Sequence, residues 1–153
     1  MNRVGEILLS GIVGTIFMTA YIIRKSRQES ELYLQPVLMN KMIDRLNEFP
    51  IIRDKLTNPA GWLLHFGAGI SFVAIYWLIW RKSLKNISFE KMVLIGLISG
   101  VIGVVIWKII LEEHPKPPAN DRFSYFKHLL ISHIIFSVYA ICAFRLLERK
   151  NEY

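Results

Sequence analysis

The chain has 153 residues, 53% of them hydrophobic, with a mean hydropathy of +0.36 and a formal net charge of +7. The apolar residues stand in blocks with the charges between them, whereas a soluble domain spreads them over amphipathic faces; an ordinary soluble fold is excluded. The basic excess does not indicate nucleic acid, because it collects at block ends (Arg24, Lys25 and Arg27; Arg81 and Lys82; Arg145, Arg149 and Lys150) and forms no polar stripe interleaved with aromatics.

Four blocks, residues 4–23, 60–80, 92–111 and 129–147, are each close to the length that crosses a bilayer. A hydrocarbon core about 30 Å thick takes about 20 apolar residues in a helix, and inside it every backbone amide must pair within its own segment. The sequence therefore predicts an all-α integral membrane four-helix bundle, up-down-up-down, with residues 1–153 forming one membrane domain.

The first block carries Ser10, Gly11, Gly14 and Thr15, small residues one turn apart where a neighbouring backbone can approach. Its long apolar stretch and the following Arg24-Lys25-Ser26-Arg27 read as a retained span and not as a cleaved leader. Glu6, near its start, is expected to reach the headgroups. The connection over residues 24–59 is not featureless. Leu32, Leu38, Met42, Leu46 and Phe49 recur at helical spacing among polar residues, which predicts an amphipathic helix starting near Pro36 and ended or bent by Pro50. Such a helix lies at the interface, its apolar side towards lipid or towards the bundle mouth.

Asn58-Pro59 reads as a cap and first residue for the second span. Trp62 marks one interface, and Tyr76, Trp77 and Trp80 mark the other. Gly67 and Ser71 repeat the small-residue spacing, as do Gly96 and Gly100 in the third span. Packing within one bundle explains these pairs better than pairing between copies. Ser88 and Asp121 are the expected caps of the third and fourth helices, and His114-Pro115-Lys116-Pro117-Pro118 forbids continuation between them. Cys142, the single cysteine, has no partner for a disulfide and reads as a small packing residue.

Four crossings place all four histidines at one end of the bundle: His65 early in the second span, His114 past the third, His128 and His133 in the fourth. His65 and His133 lie a turn or more inside their spans. Two imidazoles at similar depth on different helices suit axial haem ligation, or a metal site with His114, His128, Glu112 or Glu113 as further ligands. They also suit a proton relay. The plainer reading is hydrogen bonding between helices. No His-x-x-x-His, Glu-x-x-His, nucleophile elbow or phosphate-binding glycine loop is present.

Three functions follow: a small packing or accessory membrane protein without catalytic machinery, a haem- or metal-binding redox protein using His65 and His133, and a small oligomeric transporter or proton-coupled channel. The expected partners are the lipid bilayer and a membrane protein or second copy, with no nucleic acid. Both termini fall on one side, and the short-loop density of Lys and Arg favours the cytoplasm for them.

Overall fold

The structure, a computed structural model, describes residues 2–46, 51–80 and 84–150. The expected helix end at Pro50, Phe49 of the amphipathic pattern and the basic pair Arg81-Lys82 lie outside the described residues.

Five helices follow in order: α1 (Arg3–Glu29), α2 (Gln35–Arg45), α3 (Pro59–Trp80), α4 (Phe89–Glu113) and α5 (Arg122–Lys150), with one 3₁₀ turn at Leu84–Asn86. No strand occurs among the described residues. α1, α3, α4 and α5 are long and apolar enough to cross a membrane. Each starts where local chemistry dictates. The Asn58 side chain accepts from the Ala60 N–H beside Pro59, that of Ser88 from Lys91 N–H, and that of Asp121 from the N–H groups of Phe123 and Ser124. These bonds satisfy donors that a helix start leaves unpaired. Ser30 closes α1 in the left-handed conformation, φ 54°, with its N–H bonded to the Ser26 carbonyl.

The exterior of the four long helices is oil-like. Leu8, Leu63, Leu78, Leu94, Val101 and Ile109 are all exposed, while Ser10, Thr15, Ser99, Ser132 and Ser137 are buried. Water would penalise that inversion and hydrocarbon favours it.

Two buried clusters mark the two ends of the bundle. One joins Met18, Val73, Tyr76, Met92, Ala140 and Phe144; the other joins Ile22, Trp107, Tyr125 and Leu129 with α2. The start of α3 and α5 thus meets the end of α1 and α4, which is the up-down-up-down order. Arg3 bonds both Glu6 and Glu148 at 2.7 Å, tying the two terminal helices together at one end. Glu6 is therefore buried in an ion cluster rather than extended to headgroups, because Glu148 returns beside it from the far end of the chain.

α5 packs against both α1 and α4, and α1 packs against α3. The close approaches sit at glycines. A methyl at Gly11 would lie 2.7 Å from the Ile70 Cα, and one at Gly96 would lie 2.6 Å from the Ile134 Cα. Gly67 has open space around it and Ser71 is exposed, so that small pair faces outwards. α3 and α4 do not pack closely together. A cleft of about 330 Å³ separates them, lined by Ser71, Ile75, Tyr76, Ile98, Ile102 and neighbouring residues, and spanned by the Tyr76–Ser99 hydroxyl bond of 2.6 Å. That bond turns Tyr76 inwards, away from the interfacial belt expected for it. Cys142 is exposed on α5 and not packed inside, since an outer apolar face accepts a small thiol as readily as an inner one.

α2 inserts its apolar side into the bundle mouth; Val37, Leu38 and Met42 are buried. The Asn40 amide NH₂ donates to the carbonyls of Lys55 and Asn58, and its oxygen accepts from Gly61 N–H in the first turn of α3. Asp44 pairs with Lys55 at 2.9 Å and accepts from Ile52 N–H. The Lys55 ammonium, followed by that N–H, holds the Asp44 carboxyl below its ordinary range.

Candidate histidine chamber

Beneath α2 lies a chamber of about 120 Å³ to which all five helices contribute. α1 gives Met18; α2 gives Gln35 and Met39; α3 gives His65, Ala68, Gly69 and Phe72. Gly103, Ile106, Trp107 and Ile110 come from α4, and Leu129, His133 and Phe136 from α5. No charged side chain lines it. The structure thus brings His65 and His133 to one space.

Hydrogen bonding fixes the tautomer of each imidazole. Thr19 Oγ1 lies 2.6 Å from the Thr15 carbonyl, which only accepts, so the single hydroxyl proton is committed there. His65 Nε2, 2.9 Å from the same Oγ1, must then donate. Its Nδ1 keeps a lone pair. On α5 the His133 Nδ1 donates to the Leu129 carbonyl at 3.0 Å, which leaves Nε2 bare. Gly103 makes room for that ring: a methyl there would lie 2.9 Å from His133 Cε1 and 3.0 Å from Nε2. Phe72 meets the His133 ring edge-on at 5.4 Å. Both rings are thus oriented by a second partner, with one acceptor nitrogen each unclaimed among the described residues.

Gln35 completes the set. It is 2% exposed, and neither its amide nitrogen nor its oxygen has a hydrogen-bond partner among the described residues. A buried amide left unpaired costs on the order of 1–3 kcal/mol, which a fold tolerates where a ligand or water supplies the missing bond. The one sequence signal for it is an amide amid the apolar run Tyr33-Leu34-Gln35-Pro36-Val37-Leu38, outside any recognised motif.

The other two histidines are placed elsewhere, and both ring nitrogens of each are engaged. His128 Nε2 donates to Glu29 at 2.9 Å while its Nδ1 meets the Tyr21 hydroxyl at 2.8 Å. Tyr33 donates to the second oxygen of the same carboxylate, and burial, followed by that carboxylate, pushes its hydroxyl to about 12. His114 Nε2 donates to the Met42 carbonyl, and its Nδ1 accepts from Lys116 N–H. With the bonds from Arg45 to the carbonyls of Lys116 and Pro117, this clamps the end of α2 to the α4–α5 connection. Glu112 and Glu113 are exposed and do not line the chamber. Among the described residues no group of three or more His, Cys, Asp or Glu is placed to hold a metal ion. Compared with known proteins, the chain matches no family model, no curated protein and no solved structure.

Proposed function

We propose that this is a multi-pass membrane protein that works by binding, as an accessory protein without catalytic machinery, and that the chamber beneath α2 receives the polar part of its ligand. The observation that carries the reading is Gln35: a buried amide with no partner, in the same space as two imidazoles that each retain a bare nitrogen. Together they offer two acceptors, an amide donor and an amide acceptor in an uncharged setting. A neutral, hydroxyl-bearing group satisfies them; a carboxylate or phosphate meets two lone pairs and no cation. The test is titration of glycerol with Trp107 as the only tryptophan, Trp62, Trp77 and Trp80 each being replaced by Phe. A saturable change in Trp107 emission that is lost in Gln35→Leu supports the reading, and a linear solvent effect shared by both proteins refutes it.

A second reading has its own observation. Met18 and Met39 line the chamber with the two imidazoles, and thioether with imidazole is a donor set that suits monovalent copper. Orientation of each ring by a bond at its other nitrogen is the arrangement metal-binding histidines use. Retention of one Cu(I) per chain against a competing chelator, lost in His65→Leu, supports it; a metal-free protein that takes up no Cu(I) removes it. A haem demands more space than about 120 Å³, since drug-sized ligands occupy about 300–1,000 Å³, so haem binding requires the helices to part.

A further inference from the structure

The chamber and the α3–α4 cleft adjoin each other. Ala68, Phe72 and Ile106 line both, so the two meet at a shared wall in the upper part of the cleft. The two parts differ in chemistry. Gln35, His65 and His133 are the polar side chains of the chamber. The cleft is almost wholly apolar, opens between two helices whose outer faces are oil-like, and has exposed Ile75, Ile98 and Ile102 along its sides. A chamber with three polar side chains beside an apolar lateral slot has the form of a molecule with a small head and a greasy tail.

We propose that the ligand is a single-chain neutral amphiphile with a hydroxylated head, of the monoacylglycerol type, which reaches the chamber sideways from the lipid through the α3–α4 cleft. The proposal rests on the binding role of the chamber argued above and names its ligand class. Size supports one chain and a compact head. The chamber, about 120 Å³, is smaller than the cleft, about 330 Å³, which matches a compact head on a longer tail. The cleft is a single slot between two helices, which suits one alkyl chain. Polarity supports a neutral head, since no Lys or Arg lines either space. The geometry also explains why α3 and α4 are held apart by large residues along a slot while every other long-helix pair in the bundle that packs closely does so on glycines.

The experiment uses the full chain in phosphatidylcholine nanodiscs and a monoacylglycerol bearing a diazirine and an alkyne in its acyl chain. Labelling should be saturable, map to α3 and α4 along the cleft, and be competed by untagged monoacylglycerol but not by the fatty acid of equal length. Ile102→Trp fills the slot from a half-exposed position and should cut labelling at least tenfold; Ile98→Trp provides a second block should the first variant fold poorly. Gln35→Leu should weaken the apparent affinity about tenfold. Labelling that does not saturate, or that the fatty acid competes equally, overturns the proposal. If glycerol still perturbs Trp107 in a Gln35-dependent way while the acyl probe leaves the cleft unlabelled, lateral access fails and the chamber reading stands. If the cleft is labelled with unchanged affinity in Gln35→Leu, head recognition in the chamber fails, and with it both readings.

Discussion

Replacing Gln35 by Leu should make the protein more stable. The side chain is almost completely buried, with two N–H donors and a carbonyl that bond nothing in the protein. Exchanging it for an apolar side chain of similar size removes a desolvation penalty of about 1–3 kcal/mol and leaves no cavity. For a chain of this length each kcal/mol moves the melting temperature by about 2–4 °C, so the expected rise is between about 2 and 12 °C. Thermal unfolding followed by intrinsic fluorescence in one detergent measures it. Leu38→Ala on the same helix is the opposite control: Leu38 is fully buried, and its truncation should cost about 2–5 kcal/mol. Glycerol should raise the melting temperature of the natural chain by more than that of Gln35→Leu, so the variant exchanges binding for stability. A lower melting temperature in Gln35→Leu would mean instead that the amide already makes bonds worth keeping.

Two glycines two residues apart should respond with opposite signs. Gly69→Ala drives a methyl into Thr15 Oγ1 at the α1–α3 contact and should cost about 1–3 kcal/mol, whereas Gly67→Ala meets open space and should gain up to about 1 kcal/mol from helix propensity; denaturant titration of both variants checks this. Ser30→Gly should stabilise by up to about 1 kcal/mol by the same measurement, since Gly takes the left-handed conformation without the Cβ penalty. The Asp44 carboxyl is held below its unfolded value, so its contribution is present above the ordinary Asp range near 3.9 and is lost as pH falls through the lower folded value. Limited proteolysis of the connection after α2 should therefore accelerate on acidification below about pH 4, and Asp44→Asn should show fast cleavage already at neutral pH.

Much of this architecture is legible from the chain. The four spans announce themselves by length, and the caps Asn58, Ser88 and Asp121 stand where short polar side chains precede apolar runs. The shared end of the histidines follows from counting crossings. What is not legible depends on contacts between distant residues. Arg3 reaches Glu148 across 145 positions, and no periodicity encodes that. Tyr76 carries an aromatic-belt signature yet turns inwards because Ser99 offers a partner. Gln35 looks like one polar residue at a helix start, and only α2 sitting in the bundle mouth makes its amide conspicuous. The separation of α3 from α4 is likewise invisible, since both helices carry apolar residues on every side.

Ligand binding in the chamber requires that His65 and His133 present their bare nitrogens to one space. Nitrogen-15 spectra of the histidine rings, with and without glycerol, test this directly. His65 should be protonated at Nε2 and His133 at Nδ1, and the unprotonated nitrogens of both rings should shift together as the ligand is added. Either ring in the opposite tautomer, or a pair of rings that ignores the ligand while Trp107 responds, would contradict this.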